Sequence, residues 1–357
     1  MMESRSPHSL SFIPHVSDQK ANRTEKQTTP TNRAGDSEKF AKPMELPFDG
    51  PITTIKCGVE HTFALSEERV YAWGSCLDGR LGINPTILSD ASCISKPTSI
   101  ESLYQKDIDR LECYNTHAFA WSSTTGEIYA WGYGGNGKLG FGHEESSEEP
   151  FLLECFYEAH KVGMHVISIG CGENHTLAVL TAGEDADSSI SSDLSSQTKN
   201  TLFAWGNNEF GQLGYPSDKN ITDPHKVDPV PWEGTIESTY AGQNYSAAIT
   251  QNGELYTWGS GEFTRLGHGR VKQQKTPVAI KCLSNHQISK VALGSYHACA
   301  ISSFGLIFSW GRGINGQLGH GSMGNEEIPK QIEALERVQI IDIDCGDIHT
   351  VALSAKG

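Results

Sequence analysis

An internal repeat constrains the fold of this chain more than any single residue does. Five segments end in Trp-Gly and reach, six residues after the Trp, a Gly-x-Leu-Gly-like turn; their tryptophans are Trp73, Trp131, Trp205, Trp258 and Trp310. Successive tryptophans lie 58, 74, 53 and 52 residues apart. A period of a little over fifty residues is long enough for one four-stranded sheet per repeat.

A second motif, Gly-x-x-His, usually followed by Thr, precedes most of the Trp-Gly segments. Its histidines are His61, His175, His297 and His349. Two copies depart from it, because Tyr114 replaces the Gly before His117 and Tyr245 replaces the His of the fourth unit. Each repeat therefore has two coupled hairpin halves.

The residues of each Trp-Gly segment alternate as in a β-strand with both faces buried. Tyr71 and Trp73 share one face, whereas the aliphatic Val70 and the small Ala72 share the other. Glycines in the turns supply positive φ angles. Antiparallel sheets stacked by radial repetition bury both faces and leave few open edges, so the sequence predicts an all-β protein, a β-propeller.

The Gly-x-x-His-Thr half followed by the Trp-Gly half resembles the repeat of the regulator of chromosome condensation family, over residues 40–357. Propellers of this family usually have seven blades, and this sequence shows five full units and one composite unit. We expect about six to seven four-stranded blades. We also expect the N-terminal segment to close the last blade: residues 42–46 resemble its outer strand, and residues 10–13 are a degenerate candidate for its third strand.

The sequence predicts two parts outside the repeats. Residues 1–39 are rich in Ser, Thr, Asn and Gln and poor in aliphatic residues, so we expect a disordered tail. Residues 181–200 form an insertion rich in Ser and Asp within the third unit. The simplest interpretation is a solvated loop. The alternative is a phosphorylatable acidic loop that docks a basic partner.

Charge and cysteine content narrow the classes of partner and compartment. The net charge of −15 disfavours direct DNA binding, which requires cations that neutralise phosphates. No apolar run approaches the ~20 residues that cross a bilayer, and nine cysteines, an odd number, fit a reducing compartment. Three of these, Cys57, Cys171 and Cys345, share a repeat position where we expect packing residues. We expect a monomeric intracellular protein, in the cytoplasm, the nucleus or both, without membrane insertion.

Apparent catalytic motifs belong to the repeat. Residues 132–137 and 311–316 match G-x-G-x-x-G, but each follows a Trp-Gly strand and precedes a turn, with no helix for a pyrophosphate. The motif histidines are interpreted as buried residues bonded to neighbouring backbone rather than as metal ligands. We expect no covalent catalysis, no catalytic residue, no cofactor and no metal; guanine-nucleotide exchange is the only activity that the sequence suggests.

Binding by loops is the remaining function, and departures from the repeat are where to look for it. Thr264 stands where the other four turns have Gly, so the candidate partner-binding loop is Glu262, Phe263, Thr264 and Arg265, expected to be exposed. The family resemblance implies an exchange factor or regulator of a small GTPase. The alternative is a nucleotide-independent adaptor in a ubiquitin-ligase, ciliary or tRNA-modification-related complex. In either case an acidic rim suits a basic partner.

Overall fold

The computed structural model describes residues 46, 48–84, 86, 92–183, 200–232 and 234–356. Its contacts divide the chain into two units, Met1–Pro51 and Ile52–Gly357. The described residues of the first unit, 46 and 48–51, contain no helix or strand. The closing strands expected at residues 10–13 and 42–46 therefore lie outside the described residues, apart from Leu46.

The second unit contains five antiparallel sheets of four strands, in which consecutive strands are neighbours. Each sheet is one blade. Blade 1 contains β1 (Ile52–Cys57), β2 (His61–Ser66), β3 (Val70–Ser75) and β4 (Cys93–Ser99). Blade 2 contains β5 (Arg110–Tyr114), β6 (His117–Trp121), β7 (Ile128–Gly132) and β8 (Ser147–Leu152). Blade 3 contains β9 (Met164–Cys171), β10 (His175–Ala182), β11 (Thr201–Gly206) and β12 (Ile221–Lys226).

The last two full blades follow the same plan. Blade 4 contains β13 (Ile236–Ala241), β14 (Tyr245–Thr250), β15 (Leu255–Gly259) and β16 (Gln274–Ala279). Blade 5 contains β17 (Ile288–Leu293), β18 (His297–Ser302), β19 (Ile307–Gly311) and β20 (Glu326–Gln331). The α-helix α1 (Glu154–Lys161) joins blade 2 to blade 3 and buries Phe156. Single 3-10 turns lie at Leu77–Gly79, Glu101–Leu103, Gly135–Gly137, Glu262–Thr264, Lys281–Leu283 and Glu333–Leu335.

A sixth sheet has two strands within the described residues, β21 (Ile340–Cys345) and β22 (Thr350–Ser354). The all-β propeller predicted from the sequence is thus confirmed, and all five Trp-Gly segments are strands. The expected count of six to seven four-stranded blades is not confirmed, because five such blades are present in the part of the chain that the structure describes.

Strand register places the two repeat motifs at the same end of each blade. His61 pairs with Gly74, and His117, His175 and His297 pair with the corresponding glycines of their own blades. The Gly-x-x-His hairpins and the loops after Trp-Gly therefore share one end of the blades, which we call the loop face. The opposite end carries the hairpins between the second and third strands.

Hydrophobic cores lie between neighbouring blades. Val70 and Ala72 of blade 1 belong to the same core as Tyr129 and Trp131 of blade 2. The same contact between an aliphatic face and an aromatic face recurs between blades 2 and 3, 3 and 4, and 4 and 5. This confirms that the Trp-Gly strands use both faces. Trp73 of blade 1 is partly exposed, because no blade among the described residues precedes it.

Candidate functional site

The repeat tryptophans connect each blade to the preceding blade by a hydrogen bond. Each buried indole Nε1–H donates a hydrogen bond to the carbonyl of the residue before Leu-Gly in the preceding blade. The pairs are Trp131 to Arg80 (3.2 Å), Trp205 to Lys138 (2.9 Å), Trp258 to Gln212 (2.8 Å) and Trp310 to Arg265 (2.8 Å). The turn that follows Trp-Gly is therefore an acceptor for the next blade as well as a chain reversal.

The motif histidines form a second set of hydrogen bonds between blades, directed to the following blade rather than the preceding one. The Nε2 atom of His117 lies 3.1 Å from the hydroxyl of Thr176 in the next blade, and that hydroxyl donates to the Lys138 carbonyl at 2.9 Å. Because the single hydroxyl proton is used there, the histidine must donate its Nε2–H to Thr176. We call this chain of two hydrogen bonds the histidine relay.

The relay recurs at two other blade boundaries, from His175 through Ser246 to Gln212 and from His297 through Thr350 to Gln317. The sequence-based prediction that backbone atoms satisfy these histidines is wrong for His117 and His175, whose partner is a hydroxyl of the next blade. His297 has such a hydroxyl partner together with a backbone hydrogen bond at His349. Burial, the largest cause, lowers the pKa of His175 to about 3 and that of His297 to about 4. These histidines are neutral and structural.

The relay is broken where the next blade offers Ala in place of Thr or Ser. Blade 5 has Ala298, and there blade 4 has Tyr245 instead of His, whose longer side chain donates to the His297 carbonyl at 2.7 Å. Blade 2 has Ala118, yet blade 1 retains His61. Both ring nitrogens of His61 are buried without a hydrogen-bond partner, and burial lowers its pKa to about 3. Tyr245 thus compensates for Ala298, whereas nothing compensates for Ala118.

The remaining repeat residues depend on whether a neighbouring blade covers them. Cys171 is buried as expected, but Cys57 is exposed and Cys345 is half-buried, because they lie in the first and sixth sheets. His349 is exposed for the same reason. Within the described residues, no group of three or more His, Cys, Asp or Glu side chains is placed to hold a metal ion.

The candidate partner-binding loop is less exposed than the sequence suggested. Glu262 is exposed and Phe263 is half-buried, but Thr264 and Arg265 are buried, with exposed fractions of 5% and 1%. The expectation that all four residues are exposed is therefore wrong for Thr264 and Arg265. Arg265 is turned inward, where it donates to the Ser295 carbonyl at 2.9 Å and pairs with Glu262 at 2.9 Å.

The same loop contains two consecutive residues with unfavourable backbone angles. Phe263 has φ 54° and Thr264 has φ 61°, whereas the equivalent turn of blade 2 places Asn136 and Gly137 there, with φ 64° and 74°. A bulky or β-branched residue with positive φ is a true outlier. Each such residue costs about 1–3 kcal/mol and is typical of functional sites.

Two arginines and two aromatic rings form a compact cluster on the loop face, which we call the arginine clamp: Phe263, Arg265, Tyr296 and Arg312. The Arg265 and Arg312 guanidinium carbons lie 4.7 Å and 5.4 Å from the centre of the Tyr296 ring. Arg312 also lies 5.0 Å from the Phe263 ring, which meets Tyr296 edge to face at 5.2 Å. Stacking on an aromatic face leaves the donor edge of a guanidinium available.

The repeat departures from three blades converge beside this clamp. Tyr114 of blade 2 forms a side-chain hydrogen bond with Ser295 of blade 5. The Ser295 carbonyl accepts from Arg265 of blade 4, and its hydroxyl is bonded to Asp347 of the sixth sheet. Tyr245 lies under Arg265, with 5.7 Å between the guanidinium carbon and the ring centre. Departures that are far apart in sequence therefore form one site.

Sequence reasoning missed Tyr296 and Arg312. Arg312 follows Trp-Gly, where the other units have Ser75, Tyr133, Asn207 and Ser260. Tyr296 precedes the motif His, where small or polar residues stand in most units. An alignment of the repeats with one another would have shown both as departures.

Charge on the loop face is divided between blades. Over the equivalent residues, the loop of blade 4 (260–276) contains four Arg or Lys residues and one Glu, and the loop of blade 5 (312–328) contains one Arg and two Glu. By contrast, residues 133–149 of blade 2 contain one Lys and four Glu. That single lysine, Lys138, is buried, and burial lowers its pKa to about 8. The acidic rim expected from the sequence thus occupies blade 2, whereas the loop of blade 4 is cationic.

Two further sequence hypotheses can be compared with the structure. The first G-x-G-x-x-G segment ends in a 3-10 turn, Gly135–Gly137, interrupted by the positive φ of Asn136, so no helix N-terminus faces a phosphate there. The acidic insertion expected at residues 181–200 lies mostly outside the described residues. No helix among the residues that the structure describes is long and apolar enough to span a membrane.

Comparison with known proteins agrees with the repeat geometry. The model of the regulator of chromosome condensation (RCC1) repeat matches residues 125–179, 199–249, 252–301 and 305–353. Among curated relatives, the ultraviolet-B receptor UVR8 of Arabidopsis thaliana is 32% identical over 308 residues, which is 86% of this chain and 63% of the receptor. The human E3 ubiquitin-protein ligase HERC2 is 29% identical over 334 residues, 93% of this chain and 6% of the ligase.

Among solved structures, Prp20p of Saccharomyces cerevisiae, described together with its binding to Gsp1p and histones, superposes with a TM-score of 0.55. It is 23% identical, with coverage of 87% of this chain and 85% of that one. The chain spans less than two thirds of UVR8 and a small part of HERC2.

Trp-Gly blades joined by indole hydrogen bonds define a repeat β-propeller. Repeat-model matches cover more than half of the sequence. The chain belongs to the regulator of chromosome condensation repeat family.

Proposed function

We propose that this chain is a protein-interaction propeller that regulates a small GTPase as an exchange factor or a similar partner. The observation that carries the binding role is the convergence of repeat departures from blades 2, 4 and 5 on the arginine clamp. The positive φ angles of Phe263 and Thr264 are strained for a turn that only reverses the chain, whereas a binding site gains an oriented ring. Exchange would open the nucleotide site of the GTPase and needs no bond chemistry here.

The small GTPase as partner is supported by the family resemblance and by the likeness to Prp20p. At 23% identity that likeness extends to the fold, so no exchange residue is transferred to this chain. We propose that the protein acts as a monomer in the cytoplasm or nucleus, without direct DNA contact, because its net charge is −15.

A second candidate function, a nucleotide-independent adaptor, is supported by the similarity to HERC2 and UVR8. Both relatives extend well beyond the part that this chain matches. In an adaptor, the propeller supplies a docking surface and other chains supply activity. The two candidates differ in whether binding depends on the nucleotide state of the partner.

A capture experiment with the full chain distinguishes them. Immobilised protein is incubated with cell extract in excess nucleotide and, separately, after EDTA and phosphatase treatment; bound proteins are then identified by mass spectrometry. An exchange factor binds the empty GTPase most tightly, so enrichment of a small GTPase in the depleted sample supports exchange. A partner that is not a GTPase, recovered equally from both samples, supports the adaptor. The chain unfolded by heat is the control for adhesion.

We further propose that the two-stranded sixth sheet belongs to a complete blade, with residues 42–46 as its outer strand and residues 10–13 as the candidate third strand. The proposal is supported by the exposed apolar side chains of β22, Val351 and Leu353, which are 58% and 47% exposed. Deletion of residues 1–46, which removes both the outer strand and the candidate third strand, should then lower the thermal unfolding midpoint. A midpoint unchanged by that deletion would contradict this closure.

A further inference from the structure

Arg312 is a cation on the loop face that is stacked on aromatic rings and has no ion pair among the described residues. Its guanidinium packs on Phe263 and Tyr296, and its Nε atom is buried without a hydrogen-bond partner. No ion pair among the described residues includes Arg312. A guanidinium held flat by two rings, with its remaining donors unpaired, is preorganised for a planar anion.

The carboxylates nearest to the clamp already have partners. Glu262 pairs with Arg265 at 2.9 Å, and Asp347 bonds the Ser295 hydroxyl. Arg265 itself is fully engaged, because it also donates from Nε to the Glu262 carbonyl. The clamp therefore has two guanidinium groups beside two carboxylates, and Arg312 is the guanidinium that pairs with neither of them.

Apolar surface lies directly beside this charge. Phe263 and Tyr296 are each half-buried, and Ile314, two residues after Arg312, is 47% exposed. Tyr and Arg are the residue types that dominate binding energy at protein interfaces, where aromatic rings form the anchor. The combination fits a ligand with a carboxylate next to an aliphatic or aromatic side chain.

We propose that the arginine clamp binds an acidic segment of a partner protein, with one carboxylate on the Arg312 guanidinium and an adjacent apolar side chain on Phe263 and Ile314. This inference rests on the proposed protein-interaction function and names the chemistry of the partner. It replaces the basic partner expected from the acidic rim, because the acidic residues lie on blade 2 and the clamp lies on blades 4 and 5.

A peptide of this kind fits better than a nucleic acid. The net charge of the chain repels polyanions at long range, and loss of counterions from the polyanion requires several cations along a track. A single carboxylate, in contrast, needs one bidentate arginine together with the short-range apolar contacts that the clamp supplies.

The test is selection of a displayed random peptide library on the full chain, followed by fluorescence anisotropy with the enriched peptides. We expect enrichment of peptides that have Asp or Glu beside Leu, Ile or Phe, and at least tenfold weaker binding to Arg312→Gln. The matched control is Arg337→Gln, because Arg337 is an exposed arginine at the opposite end of the blades and forms no ion pair within the described residues. That control should bind like the unsubstituted chain.

A second variant separates binding from folding. The double substitution Phe263→Asn with Thr264→Gly gives this turn the Asn-Gly pair that blade 2 has at Asn136 and Gly137. Because it relieves the positive φ angles and removes the ring, the thermal midpoint should rise while peptide binding weakens at least tenfold. A purely structural Phe263 would instead lower the midpoint when replaced.

Several results would overturn the proposal: enrichment of basic peptides, equal binding of acidic peptides to Arg312→Gln, or no enrichment of acidic peptides over the starting library. Failure of the clamp and failure of the proposed function are distinguishable. Peptides that bind elsewhere on the loop face would leave the propeller a binding module without this site. If acidic peptides bind at the clamp but no GTPase is captured from extract, the site is supported and the exchange function is contradicted.

Discussion

The boundary between blades 2 and 3 and the boundary between blades 1 and 2 share the indole hydrogen bond but differ in the histidine relay. Both have an indole that donates to the preceding turn, Trp205 to Lys138 and Trp131 to Arg80. The histidine relay is complete between blades 2 and 3, where His117 reaches Thr176. Between blades 1 and 2 it is missing, because Ala118 has no hydroxyl for His61.

The difference shows which part of the repeat carries the fold. A buried ring nitrogen without a partner costs about 1–3 kcal/mol, yet blades 1 and 2 pack in the same register as the others. Apolar packing and the indole bond are therefore sufficient to join two blades, and the relay adds stability. The four predictions below separate these contributions by the free energy of unfolding in urea.

Removal of a shared tryptophan should have the largest effect. We expect Trp131→Ala and Trp205→Ala each to lower the free energy of unfolding by about 3–5 kcal/mol, because each deletes a fully buried aromatic side chain. The two losses should be similar, since both boundaries use the indole alike. Trp73→Ala is the control, with a smaller loss expected because Trp73 is partly exposed. A loss at Trp73 as large as at Trp205 would contradict the role of the preceding blade.

Removal of the relay from the complete boundary should have the next largest effect. Thr176→Val preserves the shape of a fully buried side chain but leaves the Nε2–H of His117 unpartnered. We expect a loss of about 1–3 kcal/mol in the free energy of unfolding. The matched control is Thr62→Val in blade 1, whose hydroxyl makes a 3.9 Å contact with the Cys57 sulfur. That substitution should change stability by less than about 0.5 kcal/mol.

The pH dependence of stability should be the same for His61, which lacks the relay, and for His175, which forms it. Burial lowers the pKa of both His61 and His175 to about 3, compared with about 6.5 in an unfolded chain. Between these values the unfolded state binds more protons, so stability is complete above about pH 6.5 and falls as the pH falls toward 3. Each histidine should lower the free energy of unfolding by about 2 kcal/mol between pH 7 and pH 5.

The check compares urea unfolding of His61→Gln and His175→Gln at pH 7 and pH 5. Both substitutions should reduce the pH-dependent loss by the same amount, because burial rather than the hydrogen bond is the main cause of both shifts. A reduction confined to His175→Gln would mean that His61 is solvated in solution.

The sequence predicted the parts of this comparison that lie within one repeat. Alternation in the Trp-Gly strands gave the two packing faces correctly, because strand period is a local property. The relay was not predicted, since the partner of His117 lies 59 residues away, one full repeat later. The sequence does contain one sign of the relay, because Tyr245 replaces the motif His in the blade that precedes Ala298. That correlation is visible only when the His position of one repeat is compared with the Thr or Ser position of the following repeat.

The candidate site shows the same limit. Thr264 was correctly recognised as a departure, but its side chain and that of Arg265 point between blades rather than into solvent. Turn position alone does not determine that direction. The proximity of Tyr114, Ser295 and Arg265 depends on the arrangement of three blades, and no local pattern contains it.

Restoration of the relay at the deficient boundary should have the smallest effect and the opposite sign. Ala118→Ser supplies the hydroxyl that Ser246 supplies to His175 at 2.8 Å. The new hydroxyl should accept from the Nε2–H of His61 and donate to the Arg80 carbonyl, which already accepts from Trp131. We expect a gain of about 0.5–1.5 kcal/mol in the free energy of unfolding, the usual net value of a hydrogen bond.

A double-mutant cycle with His61→Leu isolates that hydrogen bond. In the His61→Leu background the gain from Ala118→Ser should disappear, because a leucine has no proton to donate. Persistence of the full gain in that background would show that the serine acts through the Arg80 carbonyl alone. Loss of stability in both backgrounds would show that the space beside Ala118 does not admit a hydroxyl, which would explain why this boundary retains alanine.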